Sequence, residues 1–397
     1  MASSTTGQIQ FLPRTYKEDQ GYRDDDSEPC ERSETVVFQA DDSKYHVKVT
    51  FRGTIGITTR NSLLKRKKQL EALIALVDFS ALPLLPDTVS ELVIEKALHP
   101  SCDLRLPMKP VYQSESNDLV DVDYIYTVRE DVLRVRYPVY SADSRLPTIA
   151  LSEIEVKDQI SNNVFLITRK GSDDPLIYKT VEHPFYKPSH TTVFQQELHY
   201  IQCLEGYPNI VQLVAVVTGP SPYTTNRFNK EHNVIHGMAL EYYPHGTLED
   251  AIRQQDGKGA AWKSWASQLA RALLRLHNLG ITHMDITPRN VVINAANEAV
   301  FVDIGVGYTY ENLAPEFRDH VYPLDLSFEL RRQNDWWAFA KLLMGIASID
   351  GDGTFGTMLQ DIGHRLSLDH PRDRLDAFAA LQQLPVIGHR LKDDADL

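Results

Sequence analysis

Cysteine is scarce in this 397-residue chain: Cys30, Cys102 and Cys203 stand far apart. They are too few and too scattered for a disulfide framework or a zinc site, and they read as unpaired thiols in a reducing compartment. No run of apolar residues approaches the roughly 18 needed to cross a bilayer. The opening Met-Ala-Ser-Ser-Thr-Thr-Gly-Gln lacks the basic-then-apolar pattern of a secretory leader. Basic residues are outnumbered, 41 Lys and Arg against 54 Asp and Glu, for a formal charge of -13. That balance argues against the basic surface on which nonspecific nucleic-acid binding depends. No internal repeat is evident. What remains is an ordinary apolar content of 42%, enough for a sizeable core, in a chain long enough for two or three domains. The expectation is a soluble cytoplasmic or nuclear protein with neither nucleic acid nor membrane as partner.

Residues 1–34 are polar and acidic, with Asp24-Asp25-Asp26, Glu28, Glu31 and Glu34, and such a composition predicts a disordered tail. Order is expected from Thr35. Val36-Val37-Phe38 and Tyr45 to Phe51 alternate like two strands about the turn Ala40-Asp41-Asp42-Ser43. Asn61 is placed to cap a helix whose apolar face carries Leu63, Leu70, Leu73, Ile74 and Val77. Lys65-Arg66-Lys67-Lys68 lies inside that helix and reads as a solvated face in preference to a localisation signal. A second apolar-periodic run spans Val89 to Leu98, and Asp121–Val128 with Val132–Val139 reads as another strand pair. Residues 35–150 are thus an α+β accessory domain and linker, the linker marked by Pro138 and Ser141 to Pro147. Residues 387–397 form a C-terminal tail.

The chemistry lies further on. His283-Met284-Asp285-Ile286-Thr287-Pro288-Arg289-Asn290 is followed thirteen positions later by Asp303-Ile304-Gly305. This order of Asp, Asn and Asp suits phosphoryl transfer, in which one carboxylate handles the acceptor hydroxyl and two hard oxygen donors hold a metal on phosphates. Lys179 ends the strand-like Leu176-Ile177-Tyr178-Lys179, Glu197 lies on an amphipathic stretch, and Ala314-Pro315-Glu316 and Asp335-Trp336-Trp337 follow. On these motifs residues 151–386 resemble a eukaryotic-type protein kinase in trimmed form, with a small β-rich lobe at 151–243 and a helical lobe at 244–386.

The resemblance implies an α+β, two-lobed fold and the following roles. Lys179 contacts ATP phosphates and is held by Glu197. Asp285 orients or deprotonates the acceptor hydroxyl, Asn290 and Asp303 hold Mg²⁺, and Thr309 contacts Asp285. Val164, Ile177, Leu240 and Val292 enclose the adenine, whose edge pairs with the backbone of Glu241 and Tyr243. Glu316 pairs with Arg374, and Asp335 starts a buried helix (Asp335–Ile346) that bonds the amides of the Asp285 loop.

The departures from that family are as informative. The phosphate-covering loop, Lys157 to Val164, has no glycine, although Asn162 and Asn163 tolerate left-handed geometry. A literal GxGxxG at Gly351 to Gly356 lacks strand–loop–strand context and is rejected. Ile177 replaces a small alanine, Met284 an arginine, and Thr287 a lysine, with Arg289 placed to supply the missing charge. Only Val306, Gly307 and Tyr308 separate the Asp303 motif from Thr309, so no phosphorylation-driven switch of the usual kind is expected. The reading is an ATP- and Mg²⁺-dependent phosphotransferase acting on a hydroxyl, expected to be a protein Ser or Thr. A pseudokinase scaffold and a small-molecule kinase stand as alternatives.

Overall fold

The computed structural model describes residues 7–19, 29–53, 62–97, 105–110, 122–141, 144–226, 233–255, 259, 261–305, 307–350 and 353–384. The chain divides into two units, Met1–Val135 with Gly219–Val234, and Arg136–Thr218 with Ile235–Leu397.

The first unit is an α+β domain. Strands β1 (Gln8–Phe11), β2 (Lys17–Glu18), β3 (Glu31–Ala40) and β4 (Ser43–Arg52) precede helix α1 (Leu63–Leu76), and β5 (Val89–Lys96) and β6 (Tyr124–Glu130) follow it. The sheet runs β1-β3-β4-β5-β6, with β2 also paired to β3. The β3–β4 hairpin reverses at Asp41, whose φ of 49° is a left-handed geometry that aspartate tolerates. Strand β5 is parallel to β4, so the chain crosses over between them, and α1 lies in that crossover. Val36, Phe38, Val47, Val49, Phe51, Leu92 and Ile94 alternate onto the sheet face that packs with Leu70, Leu73 and Ile74 of α1.

Several expectations are corrected here. The tail reading fails for residues 8–11, 17–18 and 31–34, which are strands. Ile9, Phe11 and Tyr16 pack against the core, and that burial offsets the ordering entropy which composition alone suggested would win. The remaining described residues of that segment are few, and 20–28 lie outside them, as does Asn61; the cap of α1 is Ser62, whose side chain accepts the Lys65 amide. The basic run is not a uniformly solvated face. Arg66 makes two 2.7 Å bonds to Glu18, and Lys67 lies 3.3 Å from the buried Glu34. Val89–Lys96 is a strand buried over most of its length. Val132–Val139 does not pair with β6, whose partner is β5. Asp131 instead closes a turn, its carboxylate accepting the Leu133 amide at 3.1 Å and its carbonyl the Arg134 amide at 3.2 Å. The unit also includes 219–234, so it is not contiguous in sequence; there Thr225 and Asp87 exchange bonds of 2.8 and 2.7 Å.

The second unit opens with a six-stranded sheet. In chain order come β7 (Thr148–Ala150), β8 (Ile154–Ser161), β9 (Val164–Arg169), β10 (Pro175–Thr180), helix α2 (Pro188–Cys203), β11 (Leu213–Pro220) and β12 (Asn233–Glu241). They lie side by side as β7-β11-β12-β10-β9-β8. Alternation along β10 puts Tyr178 into a core with Ile149, Ile167, Ala215, Val217 and Ala239, and therefore Ile177 and Lys179 onto the opposite face.

A mainly helical lobe follows: α3 (Leu248–Gln254), α4 (Trp262–Asn278), the hairpin β13 (Val291–Ile293) and β14 (Ala299–Phe301), then α5 (Phe328–Ala347), α6 (Thr354–Leu366) and α7 (Ala377–Gln383). Leu269, Ala272, Leu273 and Leu276 form the buried stripe of α4. Helix α5 begins two turns before Asp335, because Ser327 caps it; Asp335 is an interior residue and not its start. Of the GxGxxG match, Gly351 and Asp352 lie outside the described residues, and Gly353 caps α6. A Cβ on Gly356 would stand 2.9 Å from the Ala347 carbonyl, and one on Gly363 2.9 Å from that of Ala340. These glycines let α6 press against α5. Residues 387–397 are outside the described set, and among the described residues no helix is long and apolar enough to cross a membrane.

Candidate active site

Lys179 is the centre of the site. Its place on β10, paired with Val164 on one side and Met238 on the other, aims its side chain away from the sheet core. Nζ donates to Glu197 Oε1 at 2.8 Å and to Asp303 Oδ1 at 2.7 Å. Glu197 reaches it from α2, whose buried stripe is Phe194, Glu197, Leu198 and Ile201. Burial alone would lower the Lys179 pKa, but the two carboxylates more than offset it and hold the ammonium well above its ordinary value. The same ammonium holds Asp303 below the usual carboxylate range. Burial pushes Glu197 up, against the pull of the lysine. Lys179 and Glu197 side chains are 13% and 1% exposed, whereas Asp303 keeps 45%; only the last is open toward solvent.

Asp335 organises the loop below. Its two oxygens accept the amides of His283 at 2.8 Å and Met284 at 2.7 Å, and Oδ2 also meets His277 Nε2 at 2.9 Å. His277 was not legible as a site residue; its only signal was its place at the end of α4, six residues before His283. Met284 is buried and takes φ +66°. A single 3-10 turn, Pro288–Asn290, brings Asn290 back over Asp285: Nδ2 donates to the Asp285 carbonyl at 2.8 Å and to Oδ2 at 3.0 Å. Oδ1 of Asp285 accepts the Thr309 amide at 3.1 Å. Thr309 therefore contacts Asp285 through its backbone.

The Asn290 carbonyl accepts the Val302 amide at 3.0 Å, and the Gly305 amide donates to the His283 carbonyl at 3.2 Å. These bonds fasten the Asp303 segment to the Asp285 loop. Asp303 itself takes φ +58°, an uncommon geometry that persists where its surroundings over-determine it. His283 is enclosed beside the Phe301 ring, and burial lowers its pKa, so it is neutral.

One expected member lies apart from this cluster. Arg289 is 67% exposed, with Nε 3.8 Å from Glu249 Oε1 of α3; no bond joins it to Asp285. Neither Asn162 nor Asn163 uses a left-handed φ, although they form the two-residue reversal between Ser161 and Val164, where the common hairpin turns have positive φ. Two register shifts in β8, at Val156/Asp158 and Gln159/Ser161, bend this exposed strand.

On the far side, Leu240 pairs with Ile177. The Glu241 amide donates to the Gln212 carbonyl at 3.2 Å, and Tyr243 Oη donates to Glu241 Oε2 at 3.2 Å. Burial, with the Glu241 charge, raises the Tyr243 pKa. Val292 sits half-buried on β13, bridged to Thr247. Gln212 was missed in the sequence: its side chain accepts the Gly206 amide at 2.7 Å and donates to the Ile210 carbonyl at 2.9 Å, which sets the chain leading into β11.

Among the described residues no three His, Cys, Asp or Glu side chains converge as a metal cage. The donors present fit Mg²⁺ in its other mode, held by one or two protein oxygens together with phosphate. Asn290 spends its amide hydrogens on Asp285, which leaves Oδ1 as the acceptor, and Lys179 takes one oxygen of Asp303.

A small sheet lobe with a lysine–glutamate pair, and a helical lobe whose buried aspartate holds a loop of Asp and Asn, define a two-lobed protein-kinase fold. A family model described as Protein kinase domain matches residues 161–322, and this part of the chain belongs to the protein kinase superfamily. The match begins at the glycine-free turn. Similar proteins include Rho-associated protein kinase let-502 of Caenorhabditis briggsae, 23% identical over 154 residues, 35% of this chain and 13% of that protein. Fibroblast growth factor receptor 1 of Dugesia japonica is 20% identical over 195 residues, 44% of this chain and 21% of that one. Mitogen-activated protein kinase kinase kinase 17 of Arabidopsis thaliana is 31% identical over 121 residues, 28% and 31% respectively. The matched stretch spans 13% or less of the length of the Rho-associated kinases.

Proposed function

We propose that the chain is an ATP- and Mg²⁺-dependent phosphotransferase that moves the γ-phosphate to a protein serine or threonine hydroxyl. The observation that carries this reading is the Lys179 ammonium standing between Glu197 and Asp303 at 2.8 and 2.7 Å. In sequence these residues are 18 and 124 positions from the lysine. An ammonium desolvated between two carboxylates is a fixed positive charge, ready for phosphate oxygens without reorganisation. Asp285 has its carboxylate oriented from both sides, by Asn290 and by the Thr309 amide, as suits a group that aligns an acceptor hydroxyl and takes its proton. Mg²⁺, when bound with ATP, would neutralise phosphate charge, held by Asn290 Oδ1 and the Asp303 carboxylate. Val164, Ile177, Leu240 and Val292 would enclose the base, and the backbone of Glu241 and Tyr243 would meet its edge. Arg289, whose exposed contact with Glu249 is loose at 3.8 Å, would be able to turn toward the phosphate.

A pseudokinase scaffold is the second reading, favoured by the tight, glycine-free Asn162–Asn163 reversal. Thermal melting with Mg·ATP separates the two. The first reading expects stabilisation by mass action, weakened in Asp303→Asn; no shift at millimolar ATP would leave only the scaffold. Radiolabelled ATP offered to a peptide library beside a metabolite panel then identifies the acceptor, and Asp285→Asn must abolish transfer.

A further inference from the structure

Tyr200 lies on α2 three residues beyond Glu197, and its ring rests on Gly305, the last residue of the Asp303-Ile304-Gly305 segment. A Cβ built on Gly305 would stand 2.7 Å from Tyr200 Cε2 and 3.0 Å from Cδ2. On its other side the same Cβ would be 3.3 Å from the Thr282 carbonyl, and the Gly305 amide already donates to the His283 carbonyl at 3.2 Å. Gly305 takes φ +69°, so the position excludes side chains twice, by geometry and by space. At its exposed end the ring also accepts a bond from Gln196 Nε2 to Oη at 2.6 Å, which the packing on Gly305 does not require. Two links therefore join α2 to the Asp303 segment. One is ionic, through Glu197 and Lys179; the other is steric, from Tyr200 to Gly305.

The steric link adds to the Lys179 bond and to the two backbone bonds that fasten this segment to the Asp285 loop. Between Gly305 and Thr309 there are only three residues, too short a span for a phosphorylated loop to reach back and brace the segment. Asp303 also sits at φ +58°, which a residue with a side chain adopts only under constraint. We propose that Tyr200 is a positioning residue: by clamping Gly305 it holds the Asp303 carboxylate in its metal-holding place and ties that place to the position of α2. The proposal rests on Asp303 being the metal ligand of a kinase site.

The test compares the intact chain with Tyr200→Ala, Tyr200→Leu and Tyr200→Phe. Hydrogen exchange of the peptide spanning Val302–Gly305 is read without nucleotide, and the Mg²⁺ concentration giving half the ATP-induced melting shift is read separately. Tyr200→Phe keeps the ring and should match the parent in both. Tyr200→Ala should exchange about tenfold faster at this segment and need about tenfold more Mg²⁺, with Tyr200→Leu between them and its global melt near the parent's. Unchanged exchange in Tyr200→Ala overturns the clamp. Faster exchange with unchanged Mg²⁺ demand overturns the positioning role and leaves a packing role only. If the parent shows no ATP shift at all, the kinase reading has failed, and the positioning proposal falls with it, while the exchange data still report whether the ring restrains Gly305.

Discussion

Asp335 Oδ1 accepts the Met284 amide at 2.7 Å, so a carboxylate in the middle of a buried helix fixes the residue before Asp285. Its other oxygen serves His283 and His277. Asp335 and His283 are 0% exposed. Removing the carboxylate strands two amides and an imidazole, each unsatisfied buried group costing about 1–3 kcal/mol. Asp335→Ala is expected to lose about 3–5 kcal/mol in urea unfolding. Asp335→Asn, which keeps one acceptor, should lose less; equal losses would show that the carboxylate is not what holds the loop.

Arg374 meets Glu316 through two parallel bonds of 2.7 and 2.8 Å, with side chains 7% and 23% exposed. Arg374→Ala leaves a largely enclosed carboxylate unpaired and should cost about 3 kcal/mol. Replacing both by Leu and Met should recover most of that, because an apolar pair needs no desolvation. A double variant as unstable as the single one would contradict this account.

His46, buried in the first unit, is held at about 4 against an ordinary 6.5 by burial, with the Lys44 charge acting the same way. Between those values the unfolded chain takes up a proton that the folded one does not. Stability should therefore be flat above the ordinary value and fall as pH drops through the window, by about 2 kcal/mol at pH 5. His283, also lowered by burial, acts with the same sign. His46→Gln should flatten part of the slope of melting temperature against pH and leave the His283 share. A slope identical to the parent's would exclude His46 as a contributor.

Gly356→Ala places a methyl 2.9 Å from the Ala347 carbonyl and should destabilise by about 1–3 kcal/mol through overpacking. The ATP-induced melting shift should be untouched. A lost shift would return the GxGxxG match to the nucleotide site.

Activity should not depend on phosphate at Tyr308, Thr309 or Tyr310. The Thr309 amide already meets Asp285, and Tyr310 Oη donates to the Arg318 carbonyl at 3.1 Å. Single replacements of these residues combined with phosphosite mapping test this; activity that tracks phosphate occupancy at any of the three would refute it.

What could be read in the sequence was local. The 3.6-residue stripe of α4, the alternation that sends Ile177 and Lys179 to one face of β10, and the Asp-Asn-Asp order are short-range patterns carried by a few neighbours. What could not be read depended on distant partners. Composition marked the opening residues as a tail, yet Ile9 and Phe11 reach a core made by residues far along the chain. Val132–Val139 alternates like a strand, but β6 pairs with β5 and, at Ile125, with Arg105, and not with this segment. Arg289 had the right spacing for a phosphate, but it stands exposed beside Glu249 of α3 and makes no bond to Asp285.

The sequence by itself determined the chemical groups, their order and the faces on which they lie, because periodicity is set by backbone geometry within a few residues. Tertiary structure alone decided that the Lys179 ammonium is shared by Glu197 and Asp303, that Thr309 acts through its amide, and that Tyr200 covers Gly305. Those are meetings of residues far apart in sequence, and only a packed core brings them within hydrogen-bond or van der Waals range.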